Sequence, residues 1–163
     1  MSDVLGLKSE LLSIVEKHSR KNEFSKTVSD DYYEPGMMEN LDQYYGHYSA
    51  EKNTILLRTP SAGLRYDNRT LRLNYVEVGE DVVVARDSSN AFNSNNFEIF
   101  SGSDASLGYL PAELCNALAP LVDKGYASIL SSKISYIERI RDRSRYAKQG
   151  VMFVELQIKL RGI

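Results

Sequence analysis

The chain has 163 residues, 42% hydrophobic and 26% charged, which matches ordinary soluble globular proteins and excludes wholesale disorder. That length allows one domain with a sizeable core and an accessory segment of about 50 residues. The net charge of −2 favours no class of partner, and the single Cys115 excludes an internal disulfide. With one Cys and two His, no metal site and no cofactor are expected. No leader pattern and no apolar run of roughly 20 residues is present, so the expectation is a cytoplasmic protein without a membrane role.

Val4, Leu7, Leu11, Ile14 and Val15 recur at helical spacing and predict an amphipathic helix over 4–18. Residues 19–30 are polar and read as a linker. From Asp30 to Glu51 six carboxylates and five tyrosines occur without any Lys or Arg. Pro35 and the spacing of Met37, Leu41, Tyr44 and Tyr48 predict a second short helix there. Such an acidic, aromatic segment is expected to cover apolar surface. It is also a candidate nucleic-acid mimic lying over a basic groove.

After Asn53 the period becomes extended. Strands are predicted at Ile55 to Thr59, Val82 to Ala85, Phe97 to Phe100 and Leu107 to Leu110, with an Asn-rich loop over 87–96. Pro111 opens a helix carrying Leu114, Ala117, Leu118 and Leu121. Pro120 is expected to break or kink it, and Gly125 to stop it. A closing hairpin runs from Ile134 through a turn over 144–150 to Leu160.

Four separated segments resemble the HIRAN domain family. They are Gly79-Glu80-Asp81 leading into Val82 to Arg86, the Asn90-Ala91-Phe92-Asn93-Ser94-Asn95 loop, Leu107-Gly108-Tyr109-Leu110-Pro111, and Leu118-Ala119-Pro120-Leu121-Val122-Asp123. The resemblance implies a mainly β (α+β) fold, a small OB-like β-barrel with one or two inserted short helices. It implies a barrel domain at 53–161 behind a helical N-terminal extension at 1–50. It also implies attachment to, or work beside, helicase-like ATPases. A DNA-binding member of the family holds the 3′-hydroxyl end of single-stranded DNA, with aromatic rings stacked on bases and a loop Asp on the terminal sugar. Pro, Tyr and Asp of that loop are Ala91, Phe92 and Asn93 here. Phe92 keeps a stacking face without a hydroxyl, and Asn93 keeps hydrogen bonding without charge. An Arg-Tyr-Tyr run of the first strand is replaced around Thr59 and Pro60.

Lys133 to Lys148 carries six cations against Glu138 and Asp142. Arg139, Arg141, Arg143 and Arg145 alternate, so a strand would place them on one face. Tyr146 would stand at the tip as a stacking platform. Arg58, Arg65, Tyr66, Arg69 and Arg72 form a second basic and aromatic cluster. His18 and His47 have no partner at ligand spacing, no phosphate-binding glycine loop is present, and no catalytic residue is assigned.

The expected function is therefore a non-enzymatic nucleic-acid-binding module for single-stranded or end-containing DNA. The residues assigned to it are Arg65, Tyr66, Asn90, Phe92, Asn93, Arg139, Arg141, Arg143, Arg145, Tyr146 and Lys148. A helicase or nuclease acting in trans is the expected partner, and the N-terminal helices are a candidate homodimer contact. The alternative is a protein-interaction or oligomerisation module that keeps the fold and has lost DNA-end recognition.

Overall fold

The computed structural model describes residues 2–27 and 40–163. Most of the acidic tyrosine segment, including Met37 and Met38, lies outside the described residues. Helix α1 (Ser2–Thr27) continues through the stretch expected to be a linker. Residues 19–27 contain no Gly or Pro, and their Lys, Arg and Glu are good helix formers, so nothing there stops the helix.

The expected second helix is replaced, within the described residues, by a short 3₁₀ turn at Leu41–Gln43 and by strand β1 (Tyr45–Ser49). Alternation across Tyr45, Gly46, His47 and Tyr48 prevails over the helical spacing because β1 finds a strand to pair with. It runs antiparallel to β2 (Thr54–Pro60) and covers that strand's outer edge. Gly46 is the contact point: a Cβ there would collide with the Val15 carbonyl of α1. Strand and helix therefore cross in backbone contact.

Strands β3 (Val83–Asp87), β4 (Asn96–Phe100) and β5 (Ser106–Tyr109) form a three-stranded antiparallel sheet. Strands β6 (Ala127–Glu138) and β7 (Val151–Leu160) complete a four-stranded sheet in the order β1-β2-β7-β6. The fold is thus α+β and strand-rich behind an N-terminal helix, as the sequence predicts. The barrel itself is not closed. The two sheets meet at two seams, each carrying one isolated bridge, Ala62↔Tyr109 and Asp81↔Lys133. The pairing of β6 with β7 is interrupted by register shifts between Ile129 and Ser131 and between Ile134 and Tyr136. At the Ala62↔Tyr109 seam Pro60 ends β2 without a backbone donor.

A short helix α2 (Arg69–Arg72) and a 3₁₀ turn at Leu73–Tyr75 follow β2. Helix α3 (Ala112–Asp123) begins after Pro111 and does not break at Pro120. Pro120 sits in the last turn, where its missing N–H removes one bond only. The helix stops at Gly125 (φ 82), whose N–H donates to Val122 while that of Tyr126 donates to Leu121.

One core joins these layers. Ile55, Leu57, Phe97, Leu114, Leu118 and Leu156 are fully buried, and Leu11, Ile14 and Val15 bring α1 into the same cluster. The apolar face of α1 is occupied within its own chain, against β1 and α3. Lys17 adds an exposed ion pair to Glu113 of α3 at 2.6 Å, a contact of small net worth in water. Among the described residues no helix is long and apolar enough to cross a membrane.

His18 lies on the buried face of α1. Its Nδ1 lies 2.8 Å from the Ile14 carbonyl and its Nε2 3.1 Å from Oγ1 of the fully buried Thr59. Burial pushes its pKa below the ordinary value of 6.5. Because the folded value is the lower one, the unfolded chain takes up the proton first as pH falls. The contribution to stability is complete above pH 6.5 and declines as pH falls through the folded value. Thermal melting across this window is expected to fall on acidification, and His18→Gln is expected to flatten the dependence.

Candidate nucleic-acid interface

Three left-handed residues shape the wall after β2: Gly63 (φ 81), Asp67 (φ 56) and Asn68 (φ 61). They fold the chain back on itself and leave Tyr66 54% exposed. The Arg65 guanidinium lies over the Tyr66 ring at 4.9 Å, and its Nη2 donates to the Tyr66 hydroxyl at 2.7 Å.

The opposite wall is the loop between β3 and β4. Asn90 Oδ1 accepts from the N–H groups of Phe92 (2.9 Å) and Asn93 (3.1 Å), and Asn93 Oδ1 accepts from that of Asn95 (2.9 Å). Asn side chains hold backbone donors in this way wherever a turn has no ladder to satisfy them. The result is a Phe92 ring that is 98% exposed. An isolated, fully solvated phenyl ring contributes little to the packing of the fold.

Arg69 forms the floor between these walls and is 5% exposed. Its Nε donates to Ser106 Oγ (3.1 Å), Nη1 to the Gly63 carbonyl (3.1 Å) and Nη2 to the Tyr109 hydroxyl (2.8 Å). Asp67 and Glu98 lie at 3.3 and 3.9 Å from Nη2, and the guanidinium packs over the Tyr109 ring at 4.6 Å. Ser106 in turn donates to Glu98 at 2.6 Å. A buried guanidinium is tolerated only when its donors are met in this way. Walls and floor enclose a cleft of about 650 Å³ lined by Tyr66, Asn90, Phe92, Asn93, Tyr109 and Leu110 among others. Its lining combines aromatic rings and amides with aliphatic groups and the Asp67 carboxylate, and its cation is already paired. Such a lining suits planar, hydrogen-bonding groups better than phosphates.

Of the residues the sequence assigned, Tyr66, Asn90, Phe92 and Asn93 meet in this cleft, with Arg65 beside it on Tyr66. The hairpin residues do not line it, and they do not share one strand face. β7 begins opposite Glu138, so the chain beyond has no partner strand and forms a 3₁₀ turn at Ile140–Asp142. Arg139 turns inward, donating to the carbonyls of Leu73 (3.0 Å) and Val76 (2.8 Å) and pairing with Glu77. Arg143 is largely buried, 3.8 Å from Glu138. Arg141, Arg145 and Lys148 are exposed, and Arg145 folds over the exposed Tyr146 ring at 4.9 Å.

The sequence named Arg69 only as one of a basic cluster and Tyr109 only as part of a fold motif. Neither signals a cleft floor, because their joining depends on residues about 40 positions apart. Below the loop, Arg86 grips Asp123 with two hydrogen bonds (3.0 and 2.9 Å), which holds the Asp123 carboxyl below the usual range. Burial pushes the Cys115 thiol up to about 11, so it offers no nucleophile near neutral pH. Among the described residues no cluster of His, Cys, Asp and Glu could hold a metal ion.

The chain belongs to the HIRAN domain family, whose model matches residues 55–149, more than half of its length. Among solved structures it is similar to a protein from Lactobacillus plantarum, at 20% identity and a TM-score of 0.48 over 61% of this chain and 90% of that one. It is also similar to the HIRAN domain of human HLTF in a crystal structure (22% identity, TM-score 0.44, 64% and 76% covered). The NMR structure of the HLTF HIRAN domain in its DNA-bound conformation matches at 23% identity and a TM-score of 0.42, covering 65% and 76%. No curated protein matches the chain.

Removing Arg69 leaves the Gly63 carbonyl, Ser106 and Tyr109 without their shared donor and Glu98 without its ion-pair partner. Arg69→Leu is expected to lower stability by about 3 kcal/mol in urea unfolding. Arg69→Lys, which lacks the fork, is expected to recover less than half of that.

Proposed function

We propose that this chain is a non-enzymatic, cytoplasmic nucleic-acid-binding module that takes single-stranded or end-containing DNA in the cleft between Tyr66 and Phe92. The observation that carries this reading is the cleft itself: a fully exposed Phe92 and a half-exposed Tyr66 flank a wall of Asn amides over a neutralised floor. Aromatic faces receive unpaired bases, and carboxamides meet base edges in either donor or acceptor sense. Membership of the HIRAN family supports the reading, and the HLTF HIRAN domain has a DNA-bound conformation. The groups lining the cleft bind and orient; none of them is a free nucleophile.

Charge enters from outside the cleft. Of the cations the sequence assigned, Arg65, Arg141, Arg145 and Lys148 are exposed and available to phosphates. A helicase or nuclease acting in trans fits a module that binds DNA without acting on it.

Anisotropy titrations with single-stranded and duplex oligonucleotides test this. Phe92→Ala is expected to weaken binding about tenfold at every salt concentration, because stacking is lost. Arg141→Glu is expected to weaken it chiefly at low salt and to flatten the salt dependence, because a phosphate contact is lost. If no oligonucleotide binds at low salt, whichever end is free, the reading is wrong. The protein is then an interaction module that keeps the fold without DNA-end recognition.

A further inference from the structure

Phe92 is 98% exposed, so no neighbouring side chain fixes its ring. Its position is set by the backbone of the loop, and the loop is held from two sides. Upstream, Asn90 Oδ1 takes the N–H groups of Phe92 and Asn93. Downstream, the hold comes from outside the loop: Asn116 Oδ1, on α3, accepts from Asn93 Nδ2 at 3.1 Å and from Asn95 Nδ2 at 3.4 Å.

We propose that Asn116 is a positioning residue for the cleft, whose carboxamide oxygen fixes the Asn loop and thereby the place where Phe92 meets an unpaired base. The inference rests on the reading of the cleft as a nucleic-acid site and names how its aromatic platform is held. Three features of the geometry carry it. Asn116 stands on a stiff support, since its helical neighbours Leu114, Cys115, Ala117 and Leu118 are fully buried. Both donors converge on one oxygen, so position 116 must supply an acceptor and has no need to donate. Finally, Asn93 is occupied at both ends, its oxygen by the Asn95 N–H and its nitrogen by Asn116. Asn93 is thus the link through which Asn116 acts, and one Nδ2 hydrogen and one Oδ1 lone pair are left for a ligand.

A loop already in place pays no ordering cost on binding, so affinity should depend on residue 116 even though it lies outside the cleft lining. The acceptor requirement separates this role from general stability, because Asp supplies the same oxygen and Ala supplies none.

The test compares Asn116→Ala, Asn116→Asp, Phe92→Ala and the Asn116→Ala/Phe92→Ala double variant. Amide hydrogen exchange at Phe92, Asn93 and Asn95 is followed in the free protein, and anisotropy with a single-stranded oligonucleotide in the complex. Ala is a good helix former at an exposed site, so folding is retained. Expected are faster loop exchange and roughly three- to tenfold weaker binding in Asn116→Ala, the scale of one or two modest hydrogen bonds. Asn116→Asp should restore both, and Asn116→Ala should add little once Phe92 is gone. Unchanged loop exchange in Asn116→Ala overturns the proposal, as does an equal loss of binding with and without Phe92. If the wild type binds no oligonucleotide while the exchange effect stands, the nucleic-acid reading fails and the positioning of the loop by Asn116 survives.

Discussion

The cleft depends on one buried cation. Arg69 leaves water almost completely, and its hydrogen-bonded partners come from two separate pieces of chain: Gly63 after β2, and Ser106 and Tyr109 on β5. Burying a guanidinium costs several kcal/mol, offset only if its donors are met and its charge is balanced. Asp67 and Glu98 provide the balance. The seam between the two sheets has a single bridge at this point, Ala62↔Tyr109, reinforced where Gly108 (φ 101) lets the chains approach more closely than a Cβ would allow. Arg69 therefore does what a continuous ladder would do in a closed barrel, and it leaves a concave surface where a ladder would leave none.

That arrangement separates two tasks. The Arg69 charge is met internally by Asp67 and Glu98, so it is not on offer to a phosphate, and a lining of aromatic rings and amides suits flat, amide-matching groups. The available charge lies on side chains outside it. Two of these share one local geometry: Arg65 over Tyr66 and Arg145 over Tyr146, each with the guanidinium 4.9 Å from the ring and Nη2 2.7 Å from the hydroxyl. In both, a cation and an aromatic face occupy one exposed spot, which suits contact with a base and its phosphate together.

The parts of this molecule legible from the sequence are those fixed by neighbours in the chain. The apolar stripe of α1, the strands around the Asn loop, Pro111 before α3 and Gly125 after it are written in local spacing. The four motifs that identified the family lie in the same stretch. What the sequence hid depends on distant partners. β1 looks helical by spacing and becomes a strand because β2 has a free edge. The alternating arginines of 139–145 look like a strand face, yet no strand lies opposite, so Arg139 turns to the distant carbonyls of Leu73 and Val76 and Arg143 lies against Glu138. Arg69 and Asn116 carry no motif, since their roles appear only once α2, β5 and the Asn loop are brought together.

The central claim is that the Tyr66–Phe92 cleft, and not another face, receives single-stranded nucleic acid. Amide chemical-shift mapping during titration with a single-stranded oligonucleotide tests it most directly. The account predicts the largest changes at Gly63, Tyr66, Phe92 and Asn93, with smaller ones at Arg145 and Tyr146. Changes confined to the outer face of the four-stranded sheet around Arg58 and Glu155, or none at all, would contradict it.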